Sequence, residues 1–121
     1  MIKDFDISWS GDRIVYFDES LYGEFTIKCL HVNDRYSGII IGKELWPHNP
    51  RLSRDGKIMA FIGINDGIRN IYLYDFENDK MTKIETEPMM IPGFSEFKPD
   101  HEKIAYSAFS HDIPPGIYLY T

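Results

Sequence analysis

The amino-acid sequence predicts an all-β fold built from three repeated units of antiparallel strands, the last of them incomplete. Two sequence blocks recur in the same order three times, at intervals of about 43 to 45 residues. Both blocks are short apolar runs rich in β-branched and aromatic residues, bounded by Asp-Gly or Gly-Asp turn signals. The first block is 7–17, 50–61 and 95–106, and the second is 25–30, 70–75 and 116–121.

Each unit divides into strands at its turn signals. The first unit is predicted to form strands near 5–9, 13–18, 24–31 and 38–42, the second near 49–53, 57–63, 70–75 and 81–85, and the third near 94–98, 103–108 and 116–120. Asp55-Gly56 supplies the tight turn between the first two strands of the middle unit, because the Asp side chain bonds nearby backbone and Gly accepts a positive φ.

Four antiparallel strands in about 43 residues is the size of one β-propeller blade. The sequence therefore predicts three four-stranded antiparallel propeller blades in a single domain. Blade 1 covers about 5–45, blade 2 about 46–88 and blade 3 about 92–121, where the outer strand is missing.

The repeat positions also carry a family pattern. The middle unit has Pro50, Ser53, Asp55, Gly56, Lys57, Ala60, Phe61, Asp66, Gly67, Ile71, Tyr72 and Asp75; the first has Trp9, Ser10, Ile14 and Phe17; the third has Phe97, Pro99, Asp100, Ile104, Ala105, Tyr106, Ile117 and Tyr118. These residues resemble the TolB-type β-propeller repeat over essentially the whole chain. The resemblance implies the fold. It leaves the function open, because such propellers serve as envelope scaffolds, as gating domains of serine peptidases and in carbohydrate-active enzymes.

Composition excludes several function classes. A net charge of −6 and a pI near 5.1 argue against nucleic-acid binding, which needs a basic face. No apolar stretch approaches the length of a membrane span, and no secretory signal follows Met1, so we expect a cytoplasmic protein without a membrane partner. The single Cys29 forms neither an internal disulfide nor a thiolate metal cluster.

Three blades do not close a ring, and this predicts self-association. Six blades is a usual ring size for this repeat type, so the chain is expected to be half of a six-bladed β-propeller that a homodimer completes. The unpaired edge would be 117–120, and apolar surfaces between blades would add to it. The residues expected to mediate self-association are Trp9, Phe97, Tyr118 and Tyr120. The alternative is a fragment of a longer propeller or a decayed gene copy.

The sequence offers few groups for chemistry. His48 is a candidate ligand residue because it lies near the start of an innermost strand, which lines the channel of a propeller. Trp46, in the linker between two blades, is predicted to pack between them; the alternative is an exposed ring beside the channel that stacks on a sugar or peptide. No nucleophile elbow or metal-ligand spacing is present, so no catalytic residue, cofactor or metal ligand is assigned. A cation in the channel is implied by the resemblance alone. The remaining candidates are predicted to be structural: Cys29 in the core, and Asp12, Asp55 and Asp100 as acceptors in turns.

The prediction for function is therefore a non-enzymatic interaction module that binds a protein or peptide and associates with itself. The competing hypothesis is an accessory or substrate-gating part of a peptidase or glycan-active hydrolase whose catalytic domain lies outside this chain. An enzyme active by itself would need carboxylates from two subunits to converge at the channel.

Overall fold

The structure, a computed structural model, describes the backbone of residues 2–33 and 35–84 and of the strands 91–97, 104–109 and 116–120. Side chains are described for 4–33, 35 and 37–84. The strands are β1 (Ile2–Ile7), β2 (Arg13–Glu19), β3 (Phe25–His31), β4 (Tyr36–Ile41), β5 (His48–Leu52), β6 (Ile58–Asn65), β7 (Ile68–Asp75), β8 (Lys80–Lys83), β9 (Ile91–Phe97), β10 (Ile104–Phe109) and β11 (Gly116–Tyr120). In these ranges the one helical element is a 3₁₀ turn, η1 (Lys43–Leu45). The predicted all-β class is confirmed.

The strands form three antiparallel sheets in chain order. Sheet 1 contains β1 to β4, sheet 2 contains β5 to β8, and sheet 3 contains β9 to β11. The strands β1, β5 and β9 lie side by side, as the innermost strands of consecutive propeller blades do. The predicted partial propeller is thus confirmed, while the blade boundaries at 5–45, 46–88 and 92–121 stay a prediction.

The predicted turn at Asp55-Gly56 is confirmed. The Ser53 N–H donates to the Ile58 carbonyl at 2.8 Å, and the Gly56 N–H donates to the Ser53 carbonyl at 2.9 Å. Gly56 has a φ of 73°, a conformation that costs a residue with a Cβ about 1–2 kcal/mol. The Ser53 hydroxyl donates to Asp55 at 2.7 Å and so fixes the turn from its side chains.

The same turn recurs in sheet 1, with one difference from the sequence prediction. The sequence predicts a strand near 5–9, whereas β1 ends at Ile7. The reason is that Ser8 already begins the turn: its N–H donates to the Arg13 carbonyl at 2.9 Å and its carbonyl accepts from Gly11 at 2.8 Å. Trp9 therefore lies in the turn and is not a strand residue.

Sheets 1 and 2 pack face to face around an apolar core. Its buried members are Val15, Ile27, Cys29 and Ile41 from sheet 1, and Leu52, Met59, Phe61 and Tyr72 from sheet 2. Phe61 is fully buried and stacks on Tyr72 with the ring centroids 5.4 Å apart. Burying one large apolar side chain completely stabilises a fold by about 1.5–3 kcal/mol. The packing of this core is therefore the main interaction that holds the two sheets together.

Two carboxylates of β1 tie it to β5. Asp6 accepts a hydrogen bond from the Leu52 N–H at 2.7 Å, and Asp4 pairs with Arg51 at 2.9 Å. The later residue of β1, Asp6, contacts the later residue of β5, Leu52. The two strands β1 and β5 therefore run in the same direction. The corresponding ends of sheets 1 and 2 therefore lie at the same side of the molecule.

Candidate functional site

The connections between strands lie at two opposite ends of the sheets. The connections 20–24, 42–47 and 66–67 lie at one end, the Trp46 end, and the turns 8–12, 32–35, 53–57 and 76–79 lie at the other, the Trp9 end. Because loops carried on rigid sheets are common binding sites in proteins, each end is a candidate surface.

The segment 42–47 holds Trp46 in a left-handed conformation. After the short turn η1, Trp46 has φ 47° and ψ 52°, and its N–H donates to the Lys43 carbonyl at 3.1 Å. A bulky residue at a positive φ is an outlier that persists only where the surrounding structure imposes it. The Trp46 side chain is nevertheless 51% exposed, so burial of its own ring does not account for this conformation.

Trp46 forms one wall of a cleft. Its ring meets the ring of Phe25, the first residue of β3, at 5.4 Å between centroids and 83° between planes. Phe17 packs against Phe25 in an edge-to-face contact, with centroids 5.1 Å apart. The cleft has a volume of about 310 Å³ and is lined by Phe25, Trp46, Glu24, Lys43 and Glu44. Two aromatic walls at nearly a right angle thus enclose a space bordered by charged groups.

The charged border of this cleft carries a net negative charge. The Lys43 Nζ lies 3.0 Å from a carboxylate oxygen of Glu24. This hydrogen bond and the charge of Glu24 raise the pKa of Lys43, and Glu44 adds to the effect. Both carboxylates therefore act on the same ammonium group, and the two glutamates outweigh the lysine by one charge.

His48 lies next to Trp46 and contacts an arginine. The His48 Nδ1 is 3.3 Å from the Trp46 carbonyl, which can only accept, so the geometry assigns the ring proton to Nδ1. Nε2 then accepts from the Arg69 Nη2 at 2.6 Å. Burial, and secondarily the charge of Arg69, lower the pKa of His48. His48 is thus a neutral acceptor for Arg69, whose buried Nε–H has no hydrogen-bond partner among the residues that the structure describes.

The outward face of sheet 1 is a second surface of interest. Its cross-strand pairs run from Ile7 and Phe5 on β1, through Ile14 and Tyr16 on β2 and Leu30 and Lys28 on β3, to Ser37 and Ile39 on β4. Phe5, Ile7 and Ile39 are 58%, 46% and 61% exposed, although they lie in regular strands. We call this surface the uncovered face of sheet 1.

Sheet 2 differs in that its central strand β6 is covered on both faces. Four consecutive residues of β6, Met59 to Ile62, are fully buried. Met59 and Phe61 belong to the core shared with sheet 1, and β9 lies along β5, β6 and β7. A strand buried on both faces is a continuous apolar run, which is what the sequence of β6 shows.

Trp9 lies in the turn 8–12, at one end of the sheets, and does not belong to the uncovered face of sheet 1. Its ring is 75% exposed, and the Arg54 guanidinium stacks 3.9 Å from its centroid. The side chains of Phe97, Tyr118 and Tyr120 lie outside the described residues; their backbones are in β9 and β11. In the described part of sheet 3, β11 is an end strand paired with β10. The assignment of these four residues to self-association stays a prediction.

The turn carboxylates have the structural role that the sequence predicts. Asp12 accepts hydrogen bonds from the Ser8 hydroxyl at 3.0 Å and from the Ser10 hydroxyl at 2.5 Å. The bond from Ser10 has the largest effect on the pKa of Asp12, and both bonds lower it. Asp55 accepts from Ser53 and from the Lys57 N–H at 2.9 Å. By its turn hydrogen bonds, Ser8 is the residue of sheet 1 that corresponds to Ser53 of sheet 2. The repeat pattern in the sequence instead matches Ser10 with Ser53. Asp100 lies outside the described residues.

The other reactive groups that the structure describes are not assembled into a site. Cys29 is 3% exposed, and burial raises the pKa of its thiol. The nearest imidazole, His31, is 4.0 Å from the Cys29 sulfur, while His101 and His111 lie outside the described residues. Among the residues that the structure describes, no three His, Cys, Asp or Glu side chains are grouped closely enough to hold a metal ion. No helix in the same part of the chain has the length and apolar character to cross a membrane.

Sequence reasoning selected Trp46 and His48 and missed their partners. Phe25 opens the recurring block 25–30, but a phenylalanine is not repeated at the matching positions 70 and 116, and Glu44 belongs to no motif. Only the fold brings these two residues to Trp46. Phe5 and Ile7 did leave a signal, because they alternate with Asp4 and Asp6 along β1. That alternation makes one side of β1 apolar and the other side polar.

Comparison with solved structures supports the fold. The chain superposes on TolB from Acinetobacter baumannii with a TM-score of 0.80 and 20% identity, over 99% of this chain and 29% of that one. It superposes on a putative TolB from Agrobacterium tumefaciens with a TM-score of 0.79 and 17% identity, over 94% and 43% of the two chains. The β-propeller domain of the Trilobed protease from Pyrococcus furiosus gives 0.70 and 22%, over 92% and 34%.

The chain thus spans less than half the length of these three proteins. No protein-family model matches it, and a search of curated proteins also gives no match. At this level of identity the comparisons establish the fold, and the function has to be argued from the chain's own surfaces.

Proposed function

We propose that this chain, whose fold is that of a TolB-type β-propeller, is a non-enzymatic interaction module that self-associates to complete a ring and binds a protein or peptide. The uncovered face of sheet 1 is the observation that carries the proposal. Sheet 2 buries both faces of its strand β6, whereas sheet 1 leaves Phe5, Ile7 and Ile39 about half exposed or more on one face. In a propeller each blade packs against two neighbours, and in the part of the chain that the structure describes sheet 1 packs against one, sheet 2.

The chemistry of this face fits another blade better than it fits water. The apolar side chains lie in register across β1 to β4, and the polar groups among them already pair with each other. Lys28 forms an ion pair with Asp18 at 2.8 Å, and the Tyr16 hydroxyl is hydrogen-bonded to Ser37. Docking a second sheet here would therefore bury apolar surface without leaving these polar groups unpaired.

A second copy of the chain is the proposed occupant. Two copies of three blades give six, and a two-fold axis would produce two identical junctions, each joining sheet 1 of one copy to sheet 3 of the other. A closed ring also protects apolar surfaces that would otherwise promote aggregation. Further blades of a longer polypeptide are the competing occupant of the same face.

Light scattering coupled to size exclusion tests this proposal over a hundredfold range of concentration. The proposal expects a stable mass of twice 14.2 kDa across that range. A mass that stays at 14.2 kDa, or a broad series of aggregates, would refute the closed dimer and favour further blades as the occupant.

A second candidate function is an accessory or substrate-gating part of a peptidase or glycan-active hydrolase. It is favoured by the likeness to the propeller domain of the Trilobed protease and to the structures of a tricorn protease and an acylaminoacyl peptidase. A hydrolase domain in the same or an adjacent reading frame would support this role. Ring closure by two copies of this chain alone would count against it.

A further inference from the structure

We propose that the cleft between Phe25 and Trp46 binds a cationic side chain, a lysine or arginine of a partner peptide. This inference deepens the proposed function, since it names the class of peptide that an interaction module of this kind would recognise. It is carried by the geometry of two rings, by the carboxylates at their border and by the backbone that holds them.

The two rings form a corner suited to a cation. The face of one aromatic ring meets the edge of the other at 83°, with centroids 5.4 Å apart. A cation near the corner can lie over the negative face of a ring and be attracted by its quadrupole. The volume of about 310 Å³ is at the small end of ligand sites, and it is large enough for a side chain.

The carboxylates of Glu24 and Glu44 make the cleft negatively charged. Glu24 is shared with Lys43, whereas Glu44 has no ion pair among the described residues. Lys43 also feels the charge of Glu44, but it forms its close ion pair with Glu24, so an incoming ammonium or guanidinium would meet one negative charge in excess. The net charge of −6 favours approach of a basic partner over an acidic one.

The backbone preforms the cleft before any ligand arrives. Trp46 is fixed in its left-handed conformation by the bond to Lys43 O, and Phe25 is fixed by Phe17. A Cβ at position 42 would lie 2.4 Å from a carboxylate oxygen of Glu44, so Gly42 leaves the space that the Glu44 side chain occupies. Preorganised walls reduce the entropy lost on binding.

The neighbouring hairpin offers further contact area. The Ser20 hydroxyl accepts from the N–H groups of Tyr22 and Glu24 at 3.2 and 3.1 Å, which orders the hairpin 20–24. Leu21 and Tyr22 at its tip are 102% and 90% exposed. A peptide whose basic side chain enters the cleft would therefore have apolar surface beside it to contact.

The test is a titration followed by the Trp46 indole N–H resonance in proton–nitrogen correlation spectra. The first probe is acetyl-Ala-Lys-Ala-amide, and the second carries norleucine, which has a similar stem and no charge, in place of lysine. We expect saturable shifts and about fivefold tighter binding of the lysine peptide, with the preference reduced by added salt. Glu44→Gln should weaken the lysine peptide about threefold and leave the norleucine peptide unchanged.

Trp46→Leu is the main variant and Trp9→Leu its matched control, because both replace an exposed tryptophan and they lie at opposite ends of the sheets. The Trp46 variant, followed by the Phe25 and Glu24 backbone resonances, should bind the lysine peptide at least fivefold more weakly. The Trp9 variant should bind it normally. Equal or tighter binding of the norleucine peptide, absence of a saturable shift up to about 10 mM, or equal loss in both variants would overturn the proposal.

The oligomeric mass of each sample separates this inference from the proposed function. Cation binding by a monomer would leave the inference standing and refute ring closure. A dimer that does not bind the lysine peptide would do the reverse.

Discussion

Replacing Phe5 by Glu should dissociate the proposed dimer. Phe5 lies on β1 in the uncovered face of sheet 1 and is 58% exposed. A phenylalanine buries roughly 200 Å² when fully covered, so about 115 Å² of Phe5 is left for a neighbouring blade to cover. At about 25 cal/mol per Å² this area contributes about 3 kcal/mol to each junction.

That free energy corresponds to a change of about a hundredfold in affinity at each junction. A two-fold ring has two identical junctions, so the two losses combine to about 10⁴-fold in the dissociation constant. The glutamate adds the cost of removing a carboxylate from water. Sedimentation equilibrium or light scattering over a hundredfold range of concentration should then show the variant at the monomer mass, where the wild type is a dimer.

Ile68→Glu is the matched control. Ile68 is 62% exposed, like Phe5, but lies at the start of β7 in sheet 2. It should leave the mass unchanged. The argument would be refuted by a Phe5→Glu variant that keeps the wild-type mass, or by an Ile68→Glu variant that dissociates to the same extent. Circular dichroism of each variant checks that the β structure is retained.

Three further predictions concern the stability of the chain itself. Phe61→Ala should lower the free energy of unfolding by about 3–5 kcal/mol in urea titrations, because Phe61 is fully buried against Tyr72; a loss below about 1 kcal/mol would contradict the described core. Gly56→Ala should destabilise more than Gly67→Ala, since both glycines have a positive φ but only a Cβ at 56 would meet Ser8, at 3.1 Å; equal unfolding midpoints would contradict that contact. The pKa of His48 is lower in the folded chain than its ordinary value of 6.5, so below about pH 6.5 the unfolded chain binds this proton more readily than the folded chain does. The contribution of His48 to stability is therefore present above that pH and is lost as the pH falls below it. Urea titrations at pH 7.5 and 5.5 should therefore show a smaller decrease for His48→Gln than for the wild type, and an equal decrease would refute the assignment.

The strand order and the turns could be predicted from the sequence because they depend on local chemistry. Asp55-Gly56 has the side-chain acceptor and the positive φ that the turn needs, and the structure uses both. The apolar runs of β2 and β6 are short and β-branched, and they become central strands. The end of β1 is misplaced because Trp9 has the appearance of a strand anchor, whereas the hydrogen bonds of Ser8 decide where the turn begins.

The partners within the candidate site could not be predicted in the same way. Glu24 and Phe25 are adjacent in the sequence, but Trp46 lies far from them along the chain and shares no motif with them. Their contact depends on the path of the segment 42–47, in which Trp46 adopts a left-handed conformation that its residue type disfavours. Similarly, the contact of Arg69 with His48 depends on the register of β5, β6 and β7, since β6 separates the two residues in the sheet.

A division between two kinds of position follows from the repeat. Positions that recur in sheets 1 and 2, such as Ser8 and Ser53 or Gly11 and Gly56, form the same turn hydrogen bonds in both sheets. A residue that every blade needs for folding has little freedom to serve a ligand that binds once. The cleft residues Phe25, Glu44 and Trp46 do not form these turn hydrogen bonds, and Trp46 keeps a conformation that costs free energy while its side chain stays half exposed. A search for function in a repeat protein of this kind should therefore begin at the positions where the blades differ, and here those positions meet at the Trp46 end.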